Sequence, residues 1–300
     1  MRFLISGFGH AGKAYASAIE ARFNQPEIYI KDINSSVIIP KGYIRVGDHG
    51  VDFYDVAIIA TPPGAHLQAL RSIIGCSKLV IVEKPIAIEQ REYYQIMQLA
   101  AINANVYFSF HAFFGKELML RNFVKEVCDS ESVHFSHVFF DPYLGEDRSH
   151  LGGPFWDSIY NVVSIFHKLS QDSVSVESVV LGKDSFNVFE AKITYRLGVT
   201  LKVVTQDISI RWDMPVNLKV TQLNLDYAAY SINHSTQSVS DVSGLDHRCV
   251  DFESSRLEDH YGSVVEDALS ERSIEKNSKI SEVLSEIVWK IMGSRKRSDV

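Results

Sequence analysis

The 300-residue sequence predicts an α/β protein: a parallel-sheet domain with helices on both faces, followed by an α+β domain with an open, mainly antiparallel sheet. Three observations carry this. A glycine-rich turn directly follows the first strand-like run, strands and helices alternate through the first third, and consecutive long strands replace that rhythm after about residue 115.

Residues 2–6 form a predicted strand, 11–22 a helix and 27–31 a second strand. Residues 56–60 read VAIIA, an unbroken apolar run of the kind found in strands buried on both faces. Residues 66–74 are predicted helical and end at Gly75; 79–82 follow as a buried strand, 88–103 as a helix and 106–110 as a strand. Beyond the change of rhythm, 117–127 and 157–169 are expected helices and 133–140 a strand. Four more strands are expected at 176–181, 188–196, 199–206 and 218–225, with Leu197-Gly198 as a hairpin turn. The polar, serine-rich stretch 227–256 reads as a loop excursion. Helices at 257–269 and 280–291 close the chain. Two domains are expected, one over 1–115 and one over 116–300, with the helices of 257–291 packing near their junction.

Composition narrows the function classes. The formal charge is −7, with 30 basic residues spread along the chain, so the concentrated basic face that nucleic acid requires is not expected. Arg295-Lys296-Arg297 reads as a solvated tail. Three scattered cysteines make neither a disulfide framework nor a zinc ribbon, and no apolar run approaches a membrane span. A cytoplasmic location without metal is the expectation.

Gly7-Phe8-Gly9-His10-Ala11-Gly12 is a G-x-G-x-x-G element between strand and helix, the context that gives the pattern meaning. The first glycine permits the turn, the second admits a pyrophosphate to the backbone, and the third lets helix and strand approach. The helix N-terminus offers free N–H groups and a positive dipole end. Asp32 stands where an acidic residue about 20 positions on should accept the ribose hydroxyls. It favours NAD; Lys31 beside it leaves NADP open. Thr61, Pro62 and His66 follow a strand whose carboxyl end faces the nicotinamide half of such a site, and are expected cofactor contacts.

Thr61-Pro62-Pro63-Gly64-Ala65-His66, Val82-Glu83-Lys84-Pro85 and Gly152-Gly153-Pro154-Phe155-Trp156-Asp157, taken with the glycine turn, resemble the Gfo/Idh/MocA oxidoreductases. The resemblance runs from residue 2 to about 206 and resumes weakly at Asp259-His260-Tyr261. It implies a Rossmann domain and a second domain whose sheet carries substrate on one face and an oligomer interface on the other. Glu83 and Lys84 then belong to the cofactor site. Lys84 and Asp157 become catalytic and substrate-binding, and Pro85 takes a cis peptide bond. Where the family usually places histidine four residues after the aspartate, this chain has Asn161. An amide takes no proton, but on a helix it shares a face with Asp157 and can orient a hydroxyl. The aldose 1-dehydrogenase subgroup resembles this stretch, and an anomeric hydroxyl needs only a weak base.

Three further residues are candidate substrate contacts: His111 at a strand end, His150 in a polar loop, and Trp156, whose alternative is burial in the core. His134 and His137 lie three apart on a strand and face opposite ways. Together these observations predict an NAD(P)-dependent oxidoreductase acting on a sugar or sugar derivative, assembled as a homo-oligomer through the C-terminal sheet. The alternatives are a dehydrogenase or ketoreductase of a nucleotide-activated sugar, for which Arg196, Lys202 and Arg211 are available cations, and a non-catalytic NAD-binding sensor.

Overall fold

Buried apolar runs and glycine-bounded helices build the first sheet. A computed structural model describes residues 1–47, 53–142, 152–170, 174–198, 202–242, 247–250, 255–270 and 272–298. The chain divides into two compact units, Met1–His111 with Ser254–Ser281, and Ala112–Glu253 with Glu282–Val300. The segment after residue 254, expected with the second domain, is therefore divided between the two.

In the first unit, β1 (Arg2–Ser6), β2 (Glu27–Lys31), β3 (Ile44–Arg45), β4 (Tyr54–Ile59), β5 (Ser77–Val82) and β6 (Val106–Phe108) form one sheet in the order β3-β2-β1-β4-β5-β6. Every pairing is parallel. This is the doubly wound Rossmann order, whose ligand crevice opens outside the carboxyl ends of the strands near β1 and β4. The alternation read from the sequence is borne out, although the two-residue β3 was not foreseen. Val56, Ala57, Ile58, Val80, Ile81 and Val82 are all fully buried, as two-sided coverage demands. The crossovers are α1 (His10–Arg22), α2 (His66–Ile73) and α3 (Gln90–Asn103).

β6 is an edge strand, whose outward backbone groups need partners. Asn277 supplies them: the Phe108 N–H donates to its side-chain oxygen at 2.7 Å, and its amide nitrogen donates to the Phe108 carbonyl at 2.9 Å.

In the second unit lie α4 (Phe123–Asp129), β7 (Val133–Phe140), α5 (Pro154–Ser170), β8 (Val174–Ser185), β9 (Val188–Leu197), β10 (Val203–Arg211), β11 (Leu218–Leu225), β12 (Ala229–Asn233), β13 (Ser238–Asp241) and β14 (His247–Cys249). The strands form one sheet in the order β14-β13-β12-β11-β7-β10-β9-β8. Only β7 and β10 run parallel; the other neighbours are antiparallel. Buried and part-exposed residues alternate along β7, the signature of a one-sided sheet. α5 covers the inner face, with Phe166 edge-on to Phe135 at 5.1 Å and stacked on Tyr195 at 4.4 Å. Two helices finish the chain: α6 (Arg256–Leu269) in the first unit, and α7 (Ser273–Ser298), which begins in the first and ends in the second.

Four expectations change. The stretch 227–256 is not simply a loop: it holds β12, β13 and β14, with Tyr230, Ile232 and Val239 turned inward and Ser231, Asn233, Ser240 and Asp241 among the outward residues. The polar alternates hid the period. The helix expected at 117–127 is instead a 3-10 turn at Lys116–Met119 followed by α4, which starts where the Asn122 side chain accepts the Lys125 N–H. β10 begins later and runs further than expected; residues 199–201 lie outside the described residues. Arg295 is not a free tail: it grips Asp184 through two nitrogens, at 2.6 and 2.8 Å, and lies over Phe155.

Candidate functional site

The glycine turn has the shape its sequence requires. Gly7 takes φ +90°, and a Cβ there would meet the Ala60 carbonyl oxygen at 2.6 Å. A Cβ on Gly12 would meet the Gly7 oxygen at 2.1 Å, so helix and turn are as close as the third glycine allows. Around Gly9 a Cβ would meet nothing within 4 Å. Gly9 caps α1 without any side-chain bond to the helix N–H groups, and His10 is exposed while Ala11 is half-buried. The Phe8 ring is buried beside Tyr43, and its N–H donates to Asp32 Oδ2 at 2.7 Å. The other Asp32 oxygen accepts the Asn34 N–H at 2.8 Å. The carboxylate is thus fixed beside the turn. Open backbone at Gly9, free helix N–H groups and an anchored acid fit a dinucleotide.

At the end of β4, the Thr61 hydroxyl oxygen is buried and has no hydrogen-bond partner among the described residues, while Pro62 is exposed. His66 is fully buried. Its Nε2 lies 2.8 Å from the Thr61 carbonyl oxygen and its Nδ1 3.2 Å from that of Ile86. Burial depresses its pKa despite these carbonyls, and a neutral ring has one N–H to give. One ring nitrogen therefore donates to one of these carbonyls while the other lies against the second, and both face loop backbone rather than a ligand.

β5 delivers Glu83 and Lys84, and the Lys84–Pro85 bond is cis, as expected. Glu83 is 3% exposed. Its Oε1 accepts from Tyr15 Oη at 2.8 Å and Ser109 Oγ at 2.5 Å, and its Oε2 accepts the Lys84 N–H at 3.1 Å. Burial raises the Glu83 pKa, while the Lys84 charge and the two hydroxyls pull it down. Lys84 itself is half-buried. Sequence reasoning passed over Tyr15 and Ser109. The available signal was a tyrosine on the buried side of an alanine-rich helix, since a buried phenol needs an oxygen partner. His111 stands near this cluster, its ring 5.0 Å from Tyr261 and 6.0 Å from His260; Tyr261 in turn lies 4.3 Å from Tyr15.

The second unit supplies the remaining candidates. Asp157 is half-buried in the first turn of α5, and Asn161, one turn on, is 8% exposed. Trp156 is a core residue, edge-on to Phe155 at 5.0 Å and to Trp289 at 5.4 Å. His150 lies outside the described residues. The three cations available for a diphosphate do not converge. Arg196 pairs with Glu177 at 2.5 Å, Arg211 with Asp213 at 2.9 Å, and Lys202 caps the carbonyls of Val127 and Cys128 at the end of α4. His134 contacts Thr205 and Asp207, and His137 contacts Thr221, so the two do face opposite ways.

Fold and turn define a two-unit protein with a Rossmann dinucleotide-binding unit. The family resemblance read from the motifs is borne out: residues 49–111 match the Gfo/Idh/MocA family model, described as an oxidoreductase family with an NAD-binding Rossmann fold. No curated protein matches the chain in sequence. Solved structures share its fold. A Gfo/Idh/MocA family oxidoreductase from Vibrio cholerae is 14% identical, with a TM-score of 0.68 and 99% of each chain covered. UDP-N-acetylglucosamine 3-dehydrogenase from Acidithiobacillus ferrooxidans is 13% identical, with a TM-score of 0.70 and 97% of this chain and 96% of that one covered. Biliverdin reductase from Synechocystis, solved with biliverdin and NADP+, is 14% identical, with a TM-score of 0.68 and 97% of this chain covered. NAD is the cofactor this family binds. Among the described residues, no helix is long and apolar enough to cross a membrane.

Proposed function

We propose that the protein is an NAD-dependent oxidoreductase acting on a CH–OH group of a sugar or sugar derivative. The observation that carries this is the first unit's glycine turn with Asp32 anchored at its side, combined with Lys84 at the carboxyl end of β5. Gly7 to Gly12 hold the pyrophosphate, Asp32 the ribose, and Thr61 and Pro62 flank the nicotinamide side. When bound, the nicotinamide supplies the two-electron chemistry. The chain's own task is the substrate's hydroxyl proton. Lys84 and Asp157 handle that proton. Asn161, one helical turn from Asp157, orients the hydroxyl by hydrogen bonding. The fixed Asp32 charge repels a 2′-phosphate and sets the preference for NAD.

The relatives act on chemically distant substrates, so the fold does not select among them. A nucleotide-activated sugar is the alternative suggested by the 3-dehydrogenase relative, and the commitments of Arg196, Lys202 and Arg211 speak against those residues as its diphosphate site. Self-assembly through the second sheet is part of this proposal. The outer face exposes Val180 and carries a shallow cavity of about 310 Å³ lined in part by Ser136, Glu190, Lys192 and Asp207.

A panel of aldoses and nucleotide sugars, followed at the NADH absorbance with NAD and NADP, tests the reading. Turnover with an aldose is expected, and Lys84→Ala or Asp157→Ala lowers it by a factor on the order of 10² or more while NAD still binds. NAD binding with no turnover across the panel would favour the sensor instead, and a clear preference for NADP would overturn the role given to Asp32.

A further inference from the structure

We infer that Glu83 is a positioning residue whose buried carboxylate, aimed by the Tyr15 and Ser109 hydroxyls, fixes the backbone at Lys84 and keeps a negative charge beside that side chain. The inference rests on the reading of Lys84 as catalytic. The geometry comes from three separate elements. Tyr15 reaches in from α1, the helix that follows the glycine turn; Ser109 follows the edge strand β6; Glu83 follows β5. Both carboxylate oxygens are engaged, one by the two hydroxyls and the other by the Lys84 N–H. Glu83 therefore has little left to offer a cofactor, although the sequence placed it among the cofactor contacts.

A buried carboxylate is expensive, and an apolar residue of similar size would satisfy packing at less cost. What the carboxylate adds is a charge next to Lys84 and a bond to its amide. The groups facing it are Lys84 on its own segment, Tyr15 from α1 and Ser109 from the segment after β6; behind Tyr15 stand Tyr261 of α6 and then His111. Burial raises the carboxyl's pKa on balance, opposed first by the Lys84 charge and then by the Ser109 and Tyr15 hydroxyls. Removing the Tyr15 hydroxyl withdraws one donor to the charged form, so Glu83 gains its proton at a higher pH. The charge beside Lys84 is then lost earlier as pH falls.

Two measurements on the full-length protein test this. The first is the Glu83 carboxyl titration by carbon-13 NMR, assigned by the resonance that disappears in Glu83→Gln. The second is the pH profile of kcat/KM. In Tyr15→Phe the titration midpoint rises and the acid limb of the profile moves up with it, costing about tenfold in kcat/KM on the acid side for each pH unit moved. The plateau value and the KM for NAD stay as in the wild type. Ser109→Ala acts in the same direction. An unmoved midpoint in both variants overturns the inference, as does a midpoint that moves while the acid limb stays. Undiminished turnover in Lys84→Ala would instead overturn the catalytic reading, and the NMR midpoint would still report the coupling of Tyr15 to Glu83.

Discussion

Two glutamates are buried among the described residues, one in each unit, and their surroundings differ. Glu83 is held by neutral donors and lies directly before Lys84. Glu117, 1% exposed, is held by His234: Nδ1 lies 2.6 Å from its Oε1, and the opposite ring nitrogen is 2.7 Å from the Thr221 hydroxyl. Thr221 in turn reaches His137 Nδ1 at 2.9 Å. The first network ends at Lys84, the side chain proposed to handle the substrate's proton. The second begins at the 3-10 turn before α4, passes through His234 just after β12, and crosses β11 and β7 without leaving the core. Burial of a charged group thus does not by itself mark function; what the network terminates on does.

The contrast predicts opposite responses to truncation. Glu117→Leu leaves a buried histidine N–H without its acceptor and costs about 1–3 kcal/mol in urea unfolding, while NAD affinity per folded molecule is unchanged. A Glu117→Leu protein with wild-type stability would erase the distinction drawn here. His137 gives the next largest effect. Burial, helped by the nearby His234 and His134, lowers its pKa to about 3 from an unfolded value of 6.5. The unfolded chain binds the extra proton between those values, so stability rises with pH across that window and is lost as pH falls from 6.5 toward 3. At pH 5 the loss from this group is about 2 kcal/mol relative to pH 8. Denaturant midpoints for wild type and His137→Phe, compared at pH 5 and 8, measure it; equal slopes in the two proteins would contradict the assignment. The smallest effect belongs to Tyr15→Phe, which loses a single hydroxyl and about 1 kcal/mol of stability. Calorimetric melting would show it, with any larger consequence confined to the pH profile.

Local pattern explains what could be read ahead of the structure. β1, β2, β7 and β11 occupy the residues expected of them; β1 and β2 show an unbroken buried run and β7 a clean alternation. β12 and β13 escaped notice because most of their outward positions are polar (Ser231, Asn233, Ser240, Asp241), and β14 because it is exposed throughout. The glycine turn was legible because six adjacent residues carry it. The Glu83 network was not: Tyr15 lies 68 positions from Glu83 and 94 from Ser109, and only the folded sheet brings the three together. Trp156 illustrates the converse, since its neighbours Phe155 and Trp289 decide for the core over a sugar contact.

The clamp of Asn277 on Phe108 spans 169 positions, and α6 likewise joins the first unit from beyond residue 254. During synthesis the parallel sheet emerges before residue 277, so its last strand keeps bare amide and carbonyl groups at Phe108 until that asparagine has been made. The nucleotide-binding unit is thus translated well before the segment that completes it, and a nascent chain stalled before that asparagine would present an open strand to its neighbours.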